Sequence, residues 1–316
     1  MSVRVITSTP PSELARALER FEERFTYPLG PGRSFRISHG DDYPRFFRAM
    51  GATGDAACFV AENRAGVIGV LGAALRRLTR PDGGEAPVVY LGDLKIDPSA
   101  RGGFALLSLA RAVSEWARGR AAAAFAVVMD GTAVTPAAYT GRAGLPPFAA
   151  IAHVDVLRIP TDGVVPASHP AADAAAATTA FARLAAGRFV AHGGRPEERS
   201  EIAPAWSLAA DGGAVGRIED TRRAKRLIAD DAGELRSAHL SRFAYRDAAA
   251  GVRFLASCVA HATALGFPAL FVAIDRADAA DFLRGLARPD IVVAPATVFA
   301  TGLPAGGRWI VDTAEI

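Results

Sequence analysis

The chain has 316 residues, half of them hydrophobic and 22% charged, the profile of a globular protein of one large or two medium domains. Of its 36 basic side chains only two, Lys95 and Lys225, are lysines, and the 33 acids leave a net charge of +3. That near-cancellation excludes a nucleic-acid surface built on bulk charge, and the alanine-rich, arginine-for-lysine usage reads as a coding bias. The longest apolar runs, 66–75 and 121–129, are too short to cross a bilayer, and residues 1–11 carry no signal-peptide apolar segment. Cys58 and Cys258 stand 200 positions apart with no ligand histidines beside them. The expectation is a reduced, cytoplasmic protein with two buried thiols, no metal, and neither a membrane nor a nucleic-acid partner.

In chain order, 3–7 alternates as a first strand, and Pro10 and Pro11 open a helix reaching Phe25 with Leu14, Leu18, Phe21 and Phe25 at helical spacing. The polar, Gly- and Pro-rich stretch 27–42 reads as a loop, and 43–50 as a second short helix. Strands follow at 58–62, 67–79 and 87–97, joined by turns at 63–66 and 82–84. A helix over 104–120, a strand at 125–130, a short helix at 136–142 and a strand at 147–159 complete the first half. The proline- and alanine-rich stretch 161–180 is a connector. The element order then returns: strands at 206–210, 214–228 and 234–243, a helix at 249–265, a strand at 270–275, a helix at 279–286, and strands near 291–301 and 308–313.

A shift of 146 supports this repeat, placing Leu94 on Leu240, Leu106 on Val252, Leu109 on Leu255, Val113 on Val259 and Phe125 on Phe271. The expected layout is a first domain at 1–160, the connector at 161–180 and a second domain at 181–316. Under the shift Arg101 becomes Asp247, while Gly102 and Gly103 become alanines. A carboxylate at a helix start suits the helix but repels phosphate, so the second half is expected to be degenerate.

Chemistry concentrates in the segment 90–107. A strand carrying Leu94 and Ile96 is broken at Pro98, and a turn with Arg101, Gly102 and Gly103 opens directly into a helix. Free N–H groups at the helix start, with no Cβ in the way and a guanidinium beside them, make an anion site. Alternation puts Asp93, Lys95 and Asp97 on one strand face.

This segment resembles the acyl-CoA-binding motif of the GNAT acyltransferase superfamily. Asp93-Leu94-Lys95-Ile96-Asp97-Pro98 stands for the family's strand, and Ala100-Arg101-Gly102-Gly103-Phe104-Ala105 for its phosphate turn. Gly103 and Ala105 match, while Ala100 replaces the preferred Gln or Arg. The element order of residues 1–160 is also the family's. The resemblance implies an α/β fold of layered α+β type: two GNAT-like mixed β-sheet domains with flanking helices. It implies acetyl-CoA as acyl donor, Leu94 and Ile96 offering backbone groups to pantetheine, and Arg101, Gly102, Gly103, Phe104 and Ala105 holding the diphosphate. It further implies N-acetyl transfer to the primary amine of a small molecule or peptide.

Asp93 matches a common acid of the family; the alternative is that it pairs with an arginine. Gly92 occupies the place where some members carry a glutamate base, and Tyr139, ahead of Gly144, stands near a general-acid tyrosine. Acceptor choice would fall to 27–42, where His39, Asp41 and Asp42 could meet a cationic acceptor. The competing expectation is a non-catalytic acyl-CoA-binding or structural pseudoenzyme.

Overall fold

The structure, a computed structural model, describes residues 1–28, 34–51, 55–132, 134–139, 145–169, 171–231 and 233–316; of Tyr139 it describes the backbone alone. The first half runs β1 (Ser2–Ile6), α1 (Ser12–Glu22), β2 (Tyr27–Pro28), β3 (Ser34–Ser38), α2 (Pro44–Arg48), β4 (Ala56–Asn63), β5 (Gly66–Thr79), β6 (Glu85–Ile96), α3 (Ala105–Ala117), β7 (Ala123–Met129) and β8 (Ala149–Pro160). The remainder runs α4 (Ala174–Leu184), β9 (Arg188–His192), α5 (Pro196–Arg199), β10 (Ala205–Leu208), β11 (Ala214–Glu219), β12 (Arg226–Ala229) and β13 (Gly233–Glu234). It closes with β14 (Ala238–Tyr245), α6 (Ala248–Ala264), β15 (Ala269–Asp275), α7 (Ala279–Leu286), β16 (Val292–Thr301) and β17 (Arg308–Ile310).

The fold is a mixed α/β layering on one large sheet, of thirteen strands among the described residues, ordered β1-β4-β5-β6-β7-β16-β8-β15-β14-β11-β10, with β9 and β17 attached beside β5. The strands of the two halves interleave: β16 pairs with β7 on one side and β8 on the other, and β8 pairs in turn with β15. Central strands such as β4 are buried along almost their whole length, which explains their near-continuous apolar sequence. One face of the first half is covered by α3 through Leu109 and Val113, one helical turn apart, against Phe59 and Val89. The opposite face is covered by α1 and α2 through Leu14, Leu18, Phe21, Phe46 and Phe47. Gly72 is needed there, because a Cβ on it would lie 1.9 Å from the Phe47 ring. Both cysteines are buried free thiols, and among the described residues no helix is long and apolar enough to cross a membrane.

Three sequence expectations change. The stretch 27–42 holds β2 and β3, because β3 finds its partner in β12, nearly 190 positions on, forming a second sheet ordered β13-β12-β3-β2. A pairing of that separation leaves no local periodicity to read. The expected strand 214–228 is two strands, β11 and β12, broken by a turn that swings Lys225 inward. The short helix at 136–142 is a 3₁₀ turn, Pro136–Tyr139, as far as it is described; residues 140–144, Gly144 included, lie outside the described residues.

Candidate active site

Strands β6 and β7 run parallel but pair only from Val88 to Tyr90 against Ala123 to Phe125. Beyond that point they part, and among the described residues nothing pairs with 91–96 on the β7 side. A fork therefore opens with Leu94 and Ile96 along one arm, and Leu94 is 44% exposed. Pro98 starts a single 3₁₀ turn, Pro98–Ala100, capped by Asp97, whose carboxylate accepts from the Ser99 amide at 2.9 Å. Arg101, Gly102, Gly103 and Phe104 follow, all exposed, with Gly102 at φ +80°, and Ala105 begins α3. Among the described residues no side chain caps this helix start. Its first-turn amides are therefore left without a side-chain partner, and Arg101 stands four positions before the helix.

The second half repeats the arrangement and closes it. Strands β14 and β15 are parallel and pair only at Ala238–Leu270 and His239–Phe271 before parting. Here Asp247 caps α6, accepting from the Ala250 amide at 2.8 Å. The chain's own last segment enters this fork: Asp312 accepts from the Arg242 amide at 2.7 Å, and Thr313 Oγ1 lies 3.0 Å from His239 Nδ1. Replacing Asp247 with alanine is expected to cost about 1 kcal/mol of stability, the usual value of an N-cap. Calorimetric melting would read that loss, and affinity for acetyl-CoA should stay unchanged.

Both inner strands are bulged. Asp93 and Arg242 are left-handed, at φ 56° and 54°, and each sits where two residues oppose one on the neighbouring strand. These bulges stand 149 positions apart, so the gapless shift of 146 holds for the helix and the outer strand but not for β6 and β14. Asp93 corresponds to Arg242 rather than to His239. The physical reason is the turn: 97–104 separates β6 from α3, whereas two residues, Arg246 and Asp247, separate β14 from α6.

The bulge turns Asp93 into the face covered by α1 and α2, where it meets a buried polar cluster. Lys95 Nζ lies 2.7 Å from Asp93 and 2.8 Å from Glu22 Oε1, and the Tyr43 hydroxyl donates to Asp93. His39 Nδ1 lies 2.7 Å from Glu22 and 3.8 Å from Asp93. Burial works to raise the Asp93 carboxyl, but Lys95, His39 and Tyr43 hold it at about 2. Its ion-pair partner is thus a lysine rather than an arginine. Asp97 points elsewhere, to Arg24 at 2.6 Å. Glu22, His39 and Asp93 converge closely enough to bind a metal ion. The Lys95 ammonium already occupies their midst and supplies the positive charge.

The remaining expectations for 27–42 divide. His39 is buried on Glu22, Asp42 is buried on Thr9 and Arg48 at 2.9 and 2.6 Å, and Asp41 is exposed. Lys225 is buried with Nζ 4.5 Å from the Phe46 ring centroid. Burial lowers its ammonium to about 7 against the pull of Asp93. Sequence reasoning missed Glu22, Tyr43 and Lys225 as members of this site. One signal was present: the chain's two lysines, Lys95 and Lys225, are both buried here, where nearly every other cation is an arginine.

The architecture is a GNAT-like mixed α/β fold, as in the following solved structures. Saccharomyces cerevisiae N-myristoyltransferase with bound myristoyl-CoA is similar in structure, with a TM-score of 0.63 at 10% identity over 96% of this chain and 83% of that one. A second structure of that yeast enzyme gives 0.64 at 10% identity over 99% and 82%. A GCN5-related N-acetyltransferase from Anabaena variabilis gives 0.50 at 13% identity over 94% and 72%. No protein-family model matches the sequence, and no curated protein matches it either.

Proposed function

We propose that the protein is an acyl-CoA-dependent N-acyltransferase that uses acetyl-CoA to acylate a primary amine of a small molecule or peptide. The observation that carries this reading is the contrast between the two forks. In the first, an uncapped helix start and exposed Arg101 stand at the mouth of an unpaired cleft. In the second, Asp247 and the chain's own last segment fill the equivalent places. Arg101, Gly102, Gly103, Phe104 and Ala105 would hold the diphosphate, and the backbone at Leu94 and Ile96 would align pantetheine. The likeness to structures holding myristoyl-CoA supports an acyl-CoA donor.

A short acyl group is favoured by what closes the fork on the α1 and α2 face. Tyr90 and Phe125 meet at 5.3 Å between ring centroids, and Trp309 abuts Phe125 at 5.2 Å. The small cavity behind them is lined in part by Arg76 and Glu315, whose charges disfavour a long alkyl chain. Direct attack of the amine on the thioester, held in line by the fork, needs no covalent enzyme intermediate. Asp93 provides the anion that gathers Lys95, Tyr43 and His39 at the bulge, and Tyr139 is the proposed acid for the leaving thiolate.

The two-fork pattern also supports descent by duplication, with domains at 1–160 and 181–316 and a connector at 161–180, and the setting proposed is cytoplasmic. A second reading, a CoA-binding protein without catalysis, draws on Gly92 standing where a base would sit and on the closed ion pairing of Asp93. Calorimetry should find acetyl-CoA binding once per chain and more tightly than myristoyl-CoA, and crystals soaked with it should fill the first fork alone. Acetylation of a panel of amines then separates enzyme from binder. No heat of binding ends both readings.

A further inference from the structure

We infer that Phe125 sets the length of the acyl group, by closing the pocket that receives its far end. This rests on the acyl-CoA reading above, which lays the diphosphate at 101–105 and pantetheine along Leu94 and Ile96. A donor laid that way points its thioester towards the closed end of the fork. The closed end is Tyr90 opposite Phe125, the last pair between β6 and β7. Acyl carbons beyond the carbonyl need room at that pair.

A cavity lies there. Tyr90, Phe125 and Val127 line it, and Val127 is the next side chain on the Phe125 face of β7, already past the last pair. The cavity measures about 20 Å³, room for one group the size of water or a methyl. Its walls are held in place. The Tyr90 hydroxyl donates to the Glu315 carbonyl oxygen at 2.6 Å. The Phe125 ring centroid lies 5.3 Å from that of Tyr90 and 5.2 Å from that of Trp309, and Trp309 is itself stacked on Phe189 at 4.8 Å. Arg76 and Glu315 also line the cavity, as an ion pair whose side chains are 1% and 8% exposed.

An acetyl methyl matches this space. A longer chain must either push aside the Phe125 ring, which Tyr90 and Trp309 flank, or press on the buried ion pair, where apolar contact gains nothing. Walls packed this closely do not yield, so each added methylene is rejected rather than absorbed. Only one of the two barriers can be opened without stranding a charge. Truncating Phe125 enlarges the cavity towards the apolar core that also holds Tyr90, Val298 and Trp309. Phe125 therefore acts on which donor fits, and makes or breaks no bond itself.

The test is calorimetric binding of CoA, acetyl-CoA, butyryl-CoA and hexanoyl-CoA to the full chain, which needs no acceptor. Wild type should bind butyryl-CoA at least about 10-fold more weakly than acetyl-CoA, and hexanoyl-CoA more weakly still. Phe125→Ala should bring butyryl-CoA to the affinity of acetyl-CoA or beyond it, with the affinity for CoA unchanged. Phe125→Leu keeps more of the core and should shift the preference the same way by less, which guards against an alanine variant that fails to fold. Val127→Phe fills the cavity from the β7 side and should weaken acetyl-CoA by at least about 10-fold while sparing CoA. Equal affinity of the wild type for acetyl-CoA and butyryl-CoA overturns the role of Phe125. So does an acyl preference that none of the variants moves, or a loss in the variants that falls on CoA as heavily as on its thioesters. A wild type that binds none of the four overturns instead the reading on which this rests.

Discussion

Arg101→Glu is expected to weaken acetyl-CoA binding by at least about 100-fold, or about 2.7 kcal/mol, at low ionic strength. The change removes a guanidinium from beside the α3 amides and puts a carboxylate against a diphosphate in its place. Arg101 is exposed and makes no ion pair among the described residues, so the fold should tolerate the reversal and melt as wild type does. Because the charges are solvent-facing, the difference between the two proteins should narrow as salt is added. Calorimetric titration at two salt concentrations reads both effects, and an unchanged dissociation constant would remove the diphosphate role from this turn. The equivalent helix in the second half offers a control, since Asp247 already holds the position a phosphate would need.

The second large effect concerns the scaffold behind the fork. Arg199 is fully buried, bonded through Nε and Nη2 to Glu219 at 2.9 Å each and through Nη1 to Glu315 at 3.0 Å. Glu315 is also gripped by Arg76 of β5, so this network ties α5, β11, the last segment and the first half's sheet together. Arg199→Met should cost about 3–5 kcal/mol, because it takes from each of two buried carboxylates one of its two arginine partners, leaving Glu219 with Arg217 at 3.3 Å and Glu315 with Arg76, rather than deleting a neutral contact. In the wild type, burial works to raise Glu219 and Glu315, but the arginines outweigh it and hold both at about 2, below the ordinary 4.5. The sign follows: their stabilisation is complete above 4.5 and is lost as pH falls towards 2. In the variant, burial against one arginine fewer lets the same carboxyls rise, so acid relieves part of the defect. Denaturant melts between neutral pH and pH 3 should show the two proteins converging. A constant difference across that range would place the cost in lost packing rather than in stranded charge.

The site was partly legible. The turn 98–105 announced itself because its chemistry is local: a proline that ends a strand, two glycines, an arginine and a helix start within eight residues. Asp247 was legible for the same reason, since a cap needs one residue and the helix it precedes. The cluster around Asp93 was not. Glu22 ends α1, His39 follows β3, Tyr43 precedes α2, and Lys95 lies on β6. Only packing α1 and α2 on one face of the sheet brings them within hydrogen-bond reach, and the bulge at Asp93 decides which way that carboxylate turns.

The sequence by itself determined the kinds of elements, most of their order, the glycine–arginine turn before α3 and the capped start of its counterpart, all of which follow from short-range patterns of apolar residues, glycine, proline and caps. The tertiary structure decided the interleaving of β16 between β7 and β8, the pairing of β3 with β12, and the plugging of the second fork by the chain's last segment. Pairings between residues more than a hundred positions apart depend on which edges remain free once local elements have formed, and no local pattern encodes that choice. The two lysines mark the boundary between the two kinds of information. Composition singled out Lys95 and Lys225 in a chain that otherwise uses arginine, but only the fold buried both, Lys95 on Asp93 and Glu22, and Lys225 against the Phe46 ring.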